Sequence, residues 1–161
     1  LNTEPVEDSA AGNKAVAALA AMQMVVTLSP FKTNMAFSDV LLPIAPFTET
    51  SGSFVNAEGR LQSFHAVVKP LAETRPAWKV LRVLGSMLHV PGFEFETIEE
   101  VRAKAIPANI ASRLSNACDA AIDVTPATDK PEVASIYQLD SLVRRAPSLQ
   151  MTADAKAGSA A

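Results

Sequence analysis

"ETSGSFVNAEGRLQSFHAVVKP", residues 49–70, runs from an acid through a glycine into alternating residues, turns at Asn56-Ala57-Glu58-Gly59, and returns with Arg60. On the outgoing arm Phe54 and Asn56 fall on one side, with Ser53 and Val55 on the other. On the return arm Arg60, Gln62 and Phe64 oppose Leu61 and Ser63. A period of two on both arms, joined by Asn and Gly, predicts a β-hairpin with Gly59 at a position needing positive φ. Gly52 and Gly59 mark its expected bends. The polar residues Glu49, Asn56, Glu58 and Arg60 raise a second question, whether the stretch performs chemistry or joins layers of a fold. Two carboxylates and an arginine are the raw material of an acid–base site. The architectural reading pairs Glu49 or Glu58 with Arg60 and sets the Asn56 amide on the turn backbone, a habit of Asn in turns. No nucleophile–base pair accompanies these residues, and no glycine-rich phosphate loop occurs in the chain. Architecture is the expectation.

On the N-terminal side, Ala15 to Met22 has the Ala-rich composition of a helix, with Val16, Leu19 and Ala20 on one side. "MVVTL" (24–28) follows at once and stops at Ser29-Pro30, a short β-branched run of the kind buried on both faces in parallel sheets. A loop from Lys32 to Asp39 leads to a second run, "VLLP" (40–43). Helix, strand, crossover and strand make the terminal part of an open parallel α/β sheet, which these strands alone do not complete. Ser29, Pro30 and Phe31 follow the first strand at its carboxyl end, where such sheets bind ligands. Ser29 and Phe31 therefore join Glu49, Asn56 and Arg60 as candidate cofactor-binding residues.

Beyond the hairpin, "TRPAWKVLRVLGSML" (74–88) predicts an amphipathic helix with Thr74 as N-cap and Pro76 in the first turn. Trp78, Leu81, Leu84 and Leu88 recur at helical spacing and are read as core, while Lys79 and Arg82 face water. The helix should end before Pro91-Gly92. "TIEEVRAKA" (97–105) is a second helix, with Thr97 and Glu100 spaced as a capping box. Residues 106–135 show little periodicity, with a helical patch near Ile110–Ala121 and a linker, "DVTPATDKPE" (123–132). "IYQLDSLVRRAPSLQ" (136–150) ends the patterned part. Its Arg144-Arg145 is read as a solvated or interface pair rather than an anion site, and "TADAKAGSAA" (152–161) as unstructured. The organisation expected is the end of an α/β domain over 1–48, the hairpin plus helices over 49–105, and a linker with a mostly irregular, partly disordered C-terminal segment over 106–161.

Composition limits the function classes. The chain has 161 residues, 48% hydrophobic and 19% charged, with a net charge of −3. That suits a globular domain, and no dense Lys/Arg footprint marks a nucleic-acid partner. Cys118 is the one cysteine, read as a small, partly buried hydrophobe, and His65 and His89 fall on different elements. Cys118, His65 and His89 do not make the ligand set of an iron–sulfur cluster or a structural zinc. No apolar run approaches the ~18 residues that cross a bilayer. "LNTEPVEDSAAGNK" (1–14) has neither an initiator Met nor the pattern of a signal peptide, which suggests a chain cut from something longer.

Asp39 to Pro43, Glu49 to Gln62 and Arg75 to Arg82 carry an Asp-Val-Leu-Leu-Pro strand, a Glu-x-x-Gly-Ser-Phe-x-Asn-x-Glu-Gly-Arg-x-Gln hairpin and an Arg-Pro-x-Trp-Lys-x-Leu-Arg helix. Together with the tail "IYQLDSLVRRAPSLQMTADA" (136–155), this resembles the family of the large, molybdopterin-oxidoreductase-like iron–sulfur subunit of bacterial NADH:quinone oxidoreductase (complex I). The resemblance implies a C-terminal-half fragment of an α/β molybdopterin-oxidoreductase-like fold. It also implies a role as scaffold in a proton-translocating enzyme that passes electrons from NADH to quinone, the fragment itself being inactive. Iron–sulfur clusters are then expected in cysteine-rich parts N-terminal to this chain, with no cofactor, metal or catalytic residue within it. Its partners would be other peripheral-arm subunits at the cytoplasmic face of the bacterial inner membrane, with no nucleic acid and no direct membrane insertion. Formate dehydrogenases carry a similar hairpin, so a cofactor-cleft segment of such an enzyme is the first alternative. A free-standing, non-redox interaction module is the second.

Overall fold

The computed structural model describes residues 1–9, 12–115 and 135–158. The chain divides into two compact units, Leu1–Asn2 with Val26–Ala121, and Thr3–Val25 with Ile122–Ala161. Cys118 and the linker expected over 123–132 lie outside the described residues.

In the first unit β1 (Val26–Ser29) and β2 (Val40–Pro43) pair in parallel, Val26 opposite Val40 through Ser29 opposite Pro43. Thr27, Leu28 and Ser29 are all buried, so β1 is covered on both faces, as its β-branched run predicts. The Asn2 N–H bonds to the Leu28 carbonyl at 2.8 Å. Burying the Thr27 hydroxyl would be costly if it had no partner. It has one: Ser38 Oγ, at 2.6 Å. Ser38 Oγ also donates to the Asn34 carbonyl at 2.7 Å, inside the short 3-10 turn Thr33–Ala36 of the crossover. After β2, Ile44 forms a parallel bridge with Arg75, and the Ala45 N–H reaches the Arg75 carbonyl at 2.9 Å.

The hairpin forms as expected. β3 (Gly52–Val55) and β4 (Leu61–Phe64) are antiparallel, with Val55 opposite Leu61. The Gly59 N–H bonds to the Asn56 carbonyl at 2.9 Å, and Gly59 has φ 74. On one face Phe54 stacks on Phe64 with centroids 5.1 Å apart, and on the other the Ser53 and Ser63 hydroxyls bond at 2.8 Å. Such cross-strand pairs are the unit of sheet stability. Gly52 is not a bend. It sits in the ladder opposite Phe64, where a Cβ would fall 2.9 Å from the ring Cζ.

Helix α3 (Ala77–Met87) starts later than expected. Pro76, at φ −50 and ψ 135, holds the N-cap position, while the Thr74 hydroxyl donates to the Leu71 carbonyl in the preceding turn. The helix ends before Pro91, as predicted. His89 turns left-handed at φ 56, its N–H bonding to the Ser86 carbonyl and that of Val90 to Gly85. These bonds satisfy carbonyls the helix would otherwise leave open. The buried side of α3 differs from the Trp78/Leu81/Leu84/Leu88 reading. Trp78 is half-buried, and Leu81, Leu84 and Leu88 are 40%, 38% and 65% exposed. Gly85 is the buried residue of the helix, because the Phe93 ring lies directly on it. Arg82 shares that side rather than facing water: it is half-buried and donates to the Phe95 carbonyl at 2.8 Å.

Helix α4 (Ile98–Ala105) is capped by Thr97, whose Oγ1 accepts the Glu100 N–H at 3.2 Å. Glu100 Oε2 in turn accepts the N–H of Glu96 at 2.8 Å, one residue further back than in the usual capping box. Helix α5 is one turn, Ile110–Arg113, so the expected patch stops early over its described part.

The second unit packs α1 (Pro5–Asp8) and α2 (Gly12–Ala20) with α6 (Ile136–Leu139), α7 (Pro147–Gln150) and α8 (Ala153–Gly158). Val16 and Leu19 of α2 are half-buried. Gln150 Nε2 donates to the carbonyls of Tyr137 and Val143 at 3.0 and 2.9 Å and so ties α7 to α6. Helix α8 corrects the expectation that 152–161 is unstructured, as far as residue 158. Thr152 Oγ1 accepts the Ala155 N–H at 3.3 Å, and Ala155 is buried. An N-cap and one buried methyl give the tail a reason to coil.

Candidate functional site

Of the candidate polar groups, Asn56 and Glu49 are engaged by backbone N–H groups. Asn56 Oδ1 accepts the N–H groups of Glu58 and Arg60 at 3.0 and 2.8 Å, as the turn reading requires. Glu58 lies 3.9 Å from Arg60, with both side chains at least 70% exposed. An ion pair so solvated adds little. Glu49 does not pair with Arg60. Its Oε2 accepts the Leu71 N–H at 2.9 Å. Beside it, Ser51 Oγ accepts from Ala66 at 3.2 Å, and the Thr48 carbonyl accepts from Val67 and Val68. Together these acceptors hold the segment that leaves the hairpin against the one that enters it.

Ser29 is buried at the carboxyl end of β1, and its Oγ accepts the Phe31 N–H at 3.1 Å. Ser29 and Phe31, Glu49, and Asn56 with Arg60 thus occupy a strand end, a short turn and a hairpin tip. A pterin nucleotide needs converging donors for its phosphates and ring edge. Three of these five side chains offer oxygens that already accept a backbone N–H. Among the described residues no buried side-chain N or O lacks a partner. Nor do three or more His, Cys, Asp or Glu side chains gather to hold a metal ion among the described residues.

Sequence reasoning missed the densest charge cluster. Glu4 is 4% exposed, and its carboxylate is paired by Arg144 at 3.1 Å and by Arg145. Arg144 also reaches Asp8 Oδ1 at 2.5 Å, while Asp8 Oδ2 accepts the Glu4 N–H at 2.7 Å. The Arg144 side chain is only 7% exposed. Arg144-Arg145 is accordingly not a solvated or interface pair. It neutralises two carboxylates of the same unit. Burial works against the charge on Asp8, but the Glu4 N–H and Arg144, helped by Arg145, prevail and hold its carboxyl below the usual value. Asp140, accepting the Val143 and Leu142 N–H groups beside this cluster, is likewise held low. The signal available in sequence was the opposite charge of "EPVED" and "RR", with nothing to say that they meet across 140 residues.

Among the described residues the first unit carries several hollows. A cavity of about 160 Å³ lies between the hairpin and α4, lined by Phe64, His65, Ile98 and Arg102 among others. A basin of about 470 Å³ includes Glu49, Lys69, Arg75 and Trp78. A groove of about 550 Å³ follows α3.

The family profile described as molybdopterin oxidoreductase matches residues 1–87. A protein of Staphylococcus aureus (strain bovine RF122 / ET3-1), provisionally named a formate dehydrogenase, is 36% identical over 80 residues, 49% of this chain and 8% of that protein. The mitochondrial NADH-ubiquinone oxidoreductase 78 kDa subunit of Candida albicans is 38% identical over 69 residues, 43% of this chain and 9% of that subunit. The chain thus spans under a tenth of the length of these relatives.

Proposed function

The chain belongs to the molybdopterin oxidoreductase family, and on that footing we propose that it is a scaffolding segment of the large iron–sulfur subunit of an NADH:quinone oxidoreductase. The observation that carries this reading is the engagement of the hairpin carboxylate and amide by backbone. Glu49 takes the Leu71 N–H and Asn56 those of Glu58 and Arg60, so the polar residues hold the chain's course. The similarity to the Candida albicans subunit supports it. In this reading electrons pass from NADH to quinone over iron–sulfur clusters in N-terminal parts of the parent, and the segment lends shape and contacts without a redox centre. The other peripheral-arm subunits are its partners, at the cytoplasmic face of the bacterial inner membrane. It neither inserts into the bilayer nor binds nucleic acid. No helix among the described residues is long and apolar enough to cross a membrane.

The similarity to formate dehydrogenase relatives favours a second reading equally, in which the end of β1 at Ser29 and Phe31 edges a cofactor cleft. Purifying the parent protein from its host separates the two. The first expects NADH oxidation coupled to a quinone and no stoichiometric molybdenum. Formate oxidation with bound molybdenum overturns it in favour of the second.

A further inference from the structure

Helix α3 carries a row of apolar side chains that is largely open to solvent. Val80, Val83, Leu84 and Met87 recur at i, i+3, i+4 and i+7, on the side of the helix opposite Gly85. Val83 and Met87 are 50% and 73% exposed, and with Leu42 the row lines the groove of about 550 Å³. Gly85 holds Phe93 on the other side, so this row is not the one that anchors α3. Apolar residues at this spacing form the surface into which a second helix lays its own apolar face.

Charge selects the occupant. Lys79 and Arg82 lie on one flank of the row, and Arg75, which precedes the helix beside Ile44, lines the same groove. Arg82 is engaged, 3.5 Å from Glu96 and bonded to the Phe95 carbonyl. Arg75 reaches only the carbonyls of Glu73 and Thr74, at 3.3 and 3.2 Å. The Lys79 ammonium lies 5.4 Å from the centre of the Trp78 ring, a contact that leaves its charge intact. Neither Arg75 nor Lys79 has a carboxylate partner among the described residues. In a chain of net charge −3, the uncompensated charge on this rim is positive. An antiparallel pairing of two copies through this face would set the basic rows against each other, which like charges penalise.

We infer that the α3 face receives an amphipathic helix of a partner polypeptide, whose apolar row is flanked by carboxylates opposite Arg75 and Lys79. The inference goes beyond the scaffold role and does not depend on which redox enzyme the parent is.

The test titrates the full 161-residue chain with labelled synthetic helices read by fluorescence anisotropy. One probe has a Leu seam with Glu along one flank; its twin has Lys in place of Glu. The Glu-flanked helix should bind about tenfold or more tightly than its twin, a difference of ~1.4 kcal/mol, shrinking as salt is raised. Val83→Glu should abolish binding, and Arg75→Glu with Lys79→Glu should reverse the preference. All three positions are exposed, and circular dichroism checks that each variant keeps its helix content. Equal affinities for the two probes, or no binding of the Glu-flanked helix, overturn the inference. So does a dimer in sedimentation that Val83→Glu dissolves, because a second copy would then own the face.

Discussion

Gly85→Ala sets two opposing effects against each other at one buried position. In an exposed helix interior the change would stabilise by about 1 kcal/mol, since glycine loses more backbone freedom on folding. Here an added Cβ would lie 2.4 Å from Phe93 Cγ and 2.5 Å from Cδ1. These atoms sit at the root of the ring, so the ring cannot swing clear without moving its own backbone. Inserting a methyl into such a contact costs up to ~3 kcal/mol. The expected net loss is therefore about 2 kcal/mol, a roughly thirtyfold shift toward unfolding. Urea unfolding followed by Trp78 fluorescence reads it on the same helix. The pairing with Phe93→Ala makes the cause explicit: with the ring gone, Gly85→Ala should stabilise by ~1 kcal/mol. A stabilising Gly85→Ala in the native background, or the same effect in both backgrounds, would refute the packing of Phe93 on Gly85.

Arg144→Met should cost ~3–5 kcal/mol of the second unit's stability, because it leaves the buried Glu4 short of a partner. Amide exchange in α1 and α6 reads the loss, and a cost below ~1 kcal/mol would mean the pair behaves as a surface one. Asp8 has a lowered folded-state value, so its contribution is fully present above the unfolded value of 3.8 and is lost as pH falls through the folded one. The stability gap between wild type and Asp8→Asn should therefore be flat above about pH 5 and close on further acidification; a gap that widens instead contradicts the pairing. Gly59→Val should destabilise the hairpin well beyond Ala57→Val, since a β-branched residue fits φ 74 poorly. Equal melting losses for the two would place the turn elsewhere.

What the sequence made legible was local. Asn56 and Gly59 build their turn from chemistry within a few residues, and Thr97 with Glu100 caps α4 in the same way. The parallel pairing of β1 and β2 also follows from continuous apolar runs separated by a short crossover. The side of α3 that is buried was not legible. Leucine spacing permits several faces, and the choice falls to Phe93, whose position depends on the left-handed turn at His89. The Glu4–Arg144 pairing lies further still from any local signal, as does the coiling of 153–158, which depends on burying Ala155. Among the site candidates, the partner of Asn56 was readable and that of Glu49 was not, because Leu71 reaches it only after the chain has turned back.

The central claim is that the hairpin polar residues serve architecture. Its most direct test is NADH:quinone turnover per assembled complex in the full-length parent carrying Asn56→Ala or Glu49→Ala. The account predicts a lower yield of assembled complex, since each change removes acceptors for backbone N–H groups, with turnover per complex unchanged. Normal assembly with turnover per complex reduced tenfold or more would contradict it and place these side chains in the chemistry.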